Sequence, residues 1–106
     1  MKRSQFIFAL LFMLIATSVY AATVKITIKG GRFAPGTVTI HPGDEVVWIN
    51  DDDRDATVDA EDGSFSSPTL KAGRSYRHVF KEKGAVAYGS RLYPRMHGTV
   101  NVEEGK

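Results

Sequence analysis

Apolar and polar residues alternate in several short runs of this chain, and this alternation restricts the fold more than any other feature. The run TVKITIK places Val24, Ile26 and Ile28 on one side of an extended strand and polar residues on the other. Similar runs are GTVTIHPGDEVVWIN, RSYRHVF, GAVAY and GTVNVE. Turn dipeptides that contain glycine separate the runs, and no segment keeps a helical period over the length of a core helix. The pattern predicts an all-β fold, either a small β-sandwich or a barrel.

The N-terminal segment has the features of a secretory signal peptide. Two basic residues precede the apolar run FIFALLFMLIA, and the tripeptide VYA ends at Ala21. The run is shorter than the roughly 20 apolar residues that span a membrane, which favours cleavage after Ala21 or Ala22 over a membrane anchor. We therefore expect residues 1–21 to be a cleaved signal peptide. Residues 22–106 are expected to form a single domain, periplasmic or secreted, without membrane attachment after cleavage.

The mature chain is small and contains no cysteine. A domain of this size buries only about 60–65% of its unfolded surface, and it has no disulfide, thiolate ligand or cysteine nucleophile available. Removal of Lys2 and Arg3 from the 14 basic residues leaves 12, equal to the 12 acidic residues. This balance does not indicate nucleic-acid binding. Stability must come from a well-packed β core, or from a ligand or partner.

Two long segments resemble the small blue copper proteins, the cupredoxins, and especially amicyanin and plastocyanin. The segments are FAPGTVTIHPGDEVVWIN and AGRSYRHVFKEKGAVAYGSRLYPRMHGTVNVEE. The matching scaffold positions are Phe33, Pro35, Gly43, Asp44, Trp48, Asn50, Phe80, Gly84, Tyr88, Pro94, Met96 and Gly98. The resemblance covers nearly all of the mature chain. It implies a small Greek-key β-sandwich with a metal site at one end.

The same resemblance implies four copper-ligand positions, and three of them lack the ligand. A type 1 copper site uses a cysteine thiolate, two imidazoles and a weak axial methionine. The first histidine position holds Ala56, and the loop YGSRLYPRMHG places Ser90, Tyr93 and Met96 at the other three. Alanine has no donor, serine is a hard neutral donor, and tyrosine would have to ionise from a pKa near ~10. We expect no intact metal site, no copper cofactor and no electron transfer.

Other side chains do not form a better metal site in the sequence. His41, His78 and His97 lie in separate segments without zinc-ligand spacing and are interpreted as turn, strand and surface residues. Five aspartates match positions 1, 3, 5, 9 and 12 of a calcium-loop register, namely Asp51, Asp53, Asp55, Asp59 and Asp62. Ala56 stands where this register needs glycine, and the terminal glutamate is missing. A solvated acidic loop is the simpler interpretation, with weak cation binding as the alternative.

A catalytic site is not indicated either. Ser90 would need a base and an oxyanion hole, and His97 lies seven residues further along the chain. We expect no catalytic residue and no enzyme activity, with Ser90 filling the space of a cysteine. Tyr93 either fills part of the emptied site or turns toward solvent, and both alternatives stay open.

The leading hypothesis is an exported, cupredoxin-like protein that has lost its type 1 copper site and has a structural or partner-binding role. The ligand end is expected to offer an apolar patch to a periplasmic protein, formed by Leu92, Tyr93, Pro94 and Met96 and ringed by Arg91, Arg95 and the acidic loop. We expect a monomer that binds no nucleic acid. Two alternatives are a periplasmic copper-binding electron carrier and a weak metal-buffering or metal-delivery protein.

Overall fold

The computed structural model describes residues 21–105, which form two four-stranded β-sheets. The strands are β1 (Thr23–Lys29), β2 (Arg32–Ala34), β3 (Thr37–Ile40), β4 (Glu45–Asn50), β5 (Asp59–Ala60), β6 (Ser75–Val79), β7 (Gly84–Ser90) and β8 (Tyr93–Val102). The strand orders are β2-β1-β4-β6 and β3-β8-β7-β5. The described residues contain no helix, and therefore none that could cross a membrane. The predicted all-β sandwich is confirmed. The predicted signal peptide, apart from Ala21, lies outside the described residues.

Two parallel strand pairs join segments that are distant in the sequence. In one sheet β1 pairs with β4, with Ile26 opposite Trp48, and in the other β3 pairs with β8, with Val38 opposite Val100. Parallel neighbours cannot be joined by a tight turn, so the chain has to leave the sheet between them. The short connection from β2 to β3 makes such a crossing from one sheet to the other.

Trp48 lies at the centre of the core between the two sheets. Its side chain is fully buried, and its ring centroid lies 5.3 Å from that of Tyr88, which belongs to the opposite sheet. Phe65, Tyr76 and Phe80 surround it at centroid distances of 5.5, 5.9 and 6.3 Å. Aromatic pairs at such distances contribute about 0.5–1.5 kcal/mol each beyond the burial of their surface. The aromatic cluster therefore joins the two sheets without a disulfide.

The predicted alternation matches the burial in most strands. Ile26 and Ile28 are fully buried in β1, and Val100 and Val102 are buried in β8. Strand β4 differs, because Val47 is buried along with its neighbours on both sides. Strands β2 and β5 were not predicted, since runs of three and two residues are too short to show alternation.

The segment predicted to be a ligand loop is mostly a β-hairpin. Strand β7 continues to Ser90, strand β8 begins at Tyr93, and a two-residue turn joins them. Gly89 pairs with His97, whereas Ser90 pairs with Tyr93, so residues 94–96 form a bulge on β8. The prediction of a loop is wrong here, because hairpin pairing continues past a bulge that interrupts the alternation in the sequence.

Replacement of Gly98 by alanine tests the packing of the two sheets. Gly98 lies directly opposite Tyr88 in the β7–β8 pair, and a Cβ atom there would overlap the buried tyrosine ring. We expect Gly98→Ala to lower the free energy of unfolding by about 1–3 kcal/mol, as overpacking does in other cores. Denaturant unfolding measures this change.

The matched control is Gly36→Ala. An added Cβ at Gly36 would lie 3.8 Å from the carbonyl oxygen of Phe33, which is an ordinary contact. The control is expected to change the free energy of unfolding by less than about 0.5 kcal/mol. Equal effects of the two substitutions would contradict the close packing of Tyr88 on Gly98.

Candidate functional site

The four predicted ligand positions meet at the end of the sandwich where β7 turns into β8. Ser90 and Tyr93 face each other across the turn. Met96 lines one shallow cleft with Ser90 and another with Tyr93. The segment that contains Ala56 reaches the same place, because the backbone N–H of the next residue, Thr57, donates to Ser90 Oγ at 3.2 Å. We call this part of the molecule the ligand end.

Asn50 holds the segment that leads to Ala56. Its buried side-chain amide donates to the carbonyl oxygens of Arg54 and Leu70, both at 2.8 Å, and its Oδ1 accepts from the backbone N–H of Asp52 at 3.0 Å. Ala56 and Leu70 exchange two backbone hydrogen bonds of 3.0 and 2.7 Å. The methyl group of Ala56 is consequently buried as part of the hydrophobic core.

Ser90 is buried, with 6% of its surface exposed, and its hydroxyl uses its whole hydrogen-bonding capacity. Ser90 Oγ accepts from the backbone N–H groups of Thr57 at 3.2 Å and Leu92 at 3.3 Å, and lies 2.9 Å from Thr57 Oγ1. The Thr57 hydroxyl donates to Asp59 Oδ2 at 2.8 Å, so the hydrogen between the two hydroxyl groups belongs to Ser90. A serine hydroxyl has one hydrogen and two lone pairs, and all three are used.

Asp59 and Arg91 complete this polar network. The Asp59 carboxylate accepts from the backbone N–H of Arg91 at 2.8 Å, and from the Arg91 guanidinium and the Ser66 hydroxyl at 2.6 Å each. Burial raises the pKa of Asp59, but the hydrogen bonds from Ser66, Arg91 and Thr57 outweigh it and hold the pKa below its ordinary value. The carboxylate is therefore ionised at neutral pH and joins the 57–59 segment to the hairpin turn.

Tyr93 fills space at the ligand end instead of turning fully toward solvent. Its ring is half-buried and packs against the hydrophobic core. The guanidinium carbon of Arg54 lies 4.8 Å from the ring centroid, a distance suited to a cation–π contact. Met96 is buried in the same core. Of the two alternatives for Tyr93, the structure supports the one in which the side chain occupies the site.

Comparison with known proteins gives matches to solved structures. No protein-family model and no curated protein matches the chain. A purple cupredoxin from Nitrosopumilus maritimus is 29% identical, with a TM-score of 0.71 over 76% of this chain and 99% of its own. A mutant of amicyanin in its Cu(I) form is 26% identical, with a TM-score of 0.73 over 80% of this chain and 86% of its own. This chain has the cupredoxin fold.

A further match is the copper-containing nitrite reductase from Thermus scotoductus. It is 24% identical, with a TM-score of 0.74 over 90% of this chain but 25% of its own length. At this identity the likeness shows the fold alone. The resemblance to cupredoxins, amicyanin among them, is confirmed by these structures.

The residues at the ligand end do not fit a copper ion of the kind named for the amicyanin and nitrite reductase structures. Ala56 has no donor atom, and the lone pairs of Ser90 are taken by two backbone N–H groups. Tyr93 can offer only a phenolic oxygen, which is a harder donor than an imidazole nitrogen. A single thioether, that of Met96, does not hold copper against water, because type 1 copper depends on a thiolate and two imidazoles.

The three histidines of this cupredoxin-fold chain do not converge, and only His97 borders the ligand end, in the cleft that Ser90 and Met96 also line. His41 and His97 are exposed. His78 is half-buried, with Phe65 at 4.6 Å and Phe80 at 4.8 Å between ring centroids, and burial lowers its pKa. Within residues 21–105, no three His, Cys, Asp or Glu side chains are grouped so as to hold a metal ion.

Sequence reasoning does not assign the roles of four residues that build the ligand end. In the sequence, Asn50 is a scaffold position without a role, Asp59 belongs to a calcium-like register, and Arg91 borders the predicted apolar patch. Thr57 carried no signal, since a buried threonine beside a buried alanine is common in β proteins. The pairing of residues 57–59 with 90–91 could not be found from spacing, because 33 residues separate Thr57 from Ser90.

Because of Asp59, the stability of the domain is expected to change with pH in the acid range. The pKa of Asp59 is lower in the folded state than the ordinary unfolded value of about 3.9. Its contribution to stability is thus fully present above that value and is lost as the pH falls through the folded-state pKa. We expect the difference in free energy of unfolding between the wild type and Asp59→Asn to be largest near neutral pH and to shrink below about pH 4.

Chemical unfolding at a series of pH values measures this difference. The control is Asp53→Asn, at an exposed position in the neighbouring acidic loop. A difference for Asp59→Asn that stayed constant from neutral pH to about pH 2 would contradict the ionised hydrogen-bonded carboxylate.

Proposed function

We propose that this chain is an exported cupredoxin-fold protein that binds no type 1 copper, carries no electrons and acts by binding a protein partner at its ligand end. The observation that carries this proposal is the hydrogen bonding of Ser90. At the position that corresponds to the thiolate ligand, the hydroxyl donates to Thr57 and accepts two backbone N–H groups. The protein itself uses the full hydrogen-bonding capacity of the Ser90 hydroxyl, so its oxygen has no free lone pair for a metal ion.

We also propose that the protein has no enzyme activity. A serine nucleophile needs a base that accepts its proton. The Ser90 proton is instead directed to the Thr57 hydroxyl, which is a poor base, and Ser90 is buried. His97, the histidine nearest in sequence, is exposed on β8. These contacts support a structural role for Ser90.

The surface around the turn has the character of a small contact site. Leu92, at the tip of the hairpin, is 43% exposed. A cleft of about 390 Å³ beside it is lined by Gly31, Arg54, Tyr93, Pro94, Arg95 and Met96. Aromatic and arginine side chains around an apolar centre are enriched in protein interfaces. The partner is proposed to present an apolar residue to this cleft and carboxylates to its arginines.

Export is the second part of the proposal and is supported by the N-terminal sequence. Two basic residues, an apolar run of signal-peptide length and a small residue at Ala21 precede the folded domain. The periplasm or the extracellular space is the proposed location, with a monomer that has no nucleic-acid or membrane partner after cleavage.

Copper titration of the purified mature protein tests the loss of the metal site. We expect no stoichiometric copper adduct in native mass spectrometry and no intense thiolate band in visible absorption. A one-to-one copper complex that resists a chelator would overturn the proposal and favour the electron carrier. Several weakly bound ions without a thiolate band would favour the metal-buffering alternative.

A triple variant supplies the three ligands that are missing beside Met96. In Ala56→His/Ser90→Cys/Tyr93→His, the N–H groups that now serve the Ser90 hydroxyl would donate to a thiolate, and two imidazoles and Met96 would complete the set. We expect this variant to bind one copper ion and to develop the intense visible band of a copper–thiolate bond. Absence of copper binding in a folded variant would show that these four positions do not form the former site.

Charge substitution at the hairpin tip tests the partner-binding role. The wild-type protein, exported in its native host, is cross-linked and its covalent partners are identified by mass spectrometry. We expect Leu92→Glu to abolish the cross-link, because a buried interfacial carboxylate next to an apolar partner residue is costly. Val79→Glu is the control, since Val79 on β6 is equally exposed at 42% but lies outside the ligand end. Equal loss with both substitutions, or with neither, would contradict the proposed surface.

A further inference from the structure

Ala22 is bound to a buried carboxylate at the end of the sandwich opposite the ligand end. Strands β1 and β4 are parallel, and both start here and run toward the Asn50 end. The backbone N–H of Ala22 donates to Asp44 Oδ1 at 2.9 Å, and the Ala22 carbonyl accepts from the N–H of Glu45 at 2.9 Å. Both polar groups of Ala22 are therefore used by the fold.

Asp44 is buried, with 7% of its surface exposed, and its two oxygens have different roles. Oδ2 accepts from the backbone N–H of His41 at 2.9 Å and closes the HPGD turn. Oδ1 accepts from Ala22 instead. The HPGD turn therefore explains the hydrogen bond of Oδ2, whereas Oδ1 is bonded to Ala22, the residue that precedes β1.

An amide N–H satisfies a buried carboxylate only in part. Hydrogen bonds from His41 and Ala22 hold the pKa of Asp44 below its ordinary value, so the group is ionised at neutral pH. A buried charge is best compensated by an opposite charge with good hydrogen-bond geometry. His41 Nδ1 lies 3.8 Å from Asp44 Oδ2 but is largely exposed. The atom placed to supply a positive charge to Oδ1 is the nitrogen of Ala22.

We propose that the precursor is cleaved between Ala21 and Ala22, and that the new α-ammonium group of Ala22 forms an ion pair with Asp44. This inference rests on the proposed export. A signal-peptide-cleaving endopeptidase adds water across the peptide bond, the C–N bond breaks, the carboxylate stays on Ala21, and the amine on Ala22 takes up a proton. The nitrogen keeps its hydrogen bond to Asp44 and gains a positive charge.

The structure favours cleavage between Ala21 and Ala22 over cleavage between Ala22 and Thr23, whereas the sequence allows both. Cleavage after Ala22 would remove the donor to Asp44 Oδ1 and the acceptor for the N–H of Glu45. Ala21 and Ala22 are exposed and border a cleft of about 520 Å³ together with His41, Asp44 and Glu104. An ammonium group at Ala22 therefore fits beside Asp44 without rearrangement of the strands.

The ion pair exists only in the processed chain, so processing stabilises the folded domain. Asp44 raises the folded-state pKa of the amine above the ordinary range of about 7.7–8.0. The stabilisation is then fully present below that range and is lost as the pH rises through the folded-state pKa. Other titratable or charged groups near this site are His41 beside Asp44, Glu104 across the cleft, and Glu45, whose carboxylate lies beside Thr23 and pairs with Arg77.

The first test is the intact mass of the protein after export of the full chain. We expect the mass of a chain that begins at Ala22. A chain that begins at Thr23 would overturn this inference and leave export standing. A chain that keeps its leader would overturn both export and this inference.

The second test is the titration of the α-amine in the mature protein by NMR. We expect a pKa about 1 unit or more above the ordinary range, and a return to that range in Asp44→Asn. An ordinary pKa in the wild type would overturn the ion pair.

A comparison of two chain lengths keeps the test decisive if Asp44→Asn does not fold. The form with Ala21 retained keeps the amide hydrogen bond at Ala22 but moves the charge about 3.8 Å away. We expect its midpoint of thermal unfolding to be lower than that of the form starting at Ala22 at pH 7, and the two midpoints to converge near pH ~10.5. Equal midpoints at pH 7 would contradict the proposal.

Discussion

The contact of Trp48 with Tyr88 is the interaction on which the rest of the structure depends. It joins the two sheets of a cysteine-free chain, and the aromatic rings around it occupy the centre of the core. Trp48 lies two residues before Asn50, and Tyr88 lies two residues before Ser90. The same packing that stabilises the sandwich therefore places both halves of the ligand end next to each other.

The ligand end of this cupredoxin-fold chain is held together by hydrogen bonds and an ion pair. Metal–ligand bonds couple metal binding to folding where such bonds exist. Here the segment around Thr57 and the hairpin turn are joined by the hydroxyl of Ser90 and by the ion pair of Asp59 with Arg91. Each such hydrogen bond contributes on the order of 1 kcal/mol, so the network helps to hold the turn in place.

The two ends of the sandwich carry different chemistry and are separated by the length of the parallel β1–β4 pair. That pair spans six residue positions, or roughly 20 Å at the usual rise of a strand. Changes at sites this far apart usually have additive effects on stability. The proposed capture of the N-terminus at Asp44 and the proposed contact surface at the hairpin tip are thus expected to be independent of each other.

The sequence by itself determined the all-β class and most of the buried residues, and its resemblance to the cupredoxins predicted the four positions at the ligand end. Alternation is a local property of the sequence, and it appears as alternating burial in strands such as β1 and β8. Only the tertiary structure decided the bulge after Gly89, the position of Tyr93 beneath Arg54, and the use of Asp59 by Arg91. The physical reason is that these features depend on which strands pair and in which register. Thr57 and Ser90 are 33 residues apart, and no local pattern specifies that their side chains share a hydrogen bond.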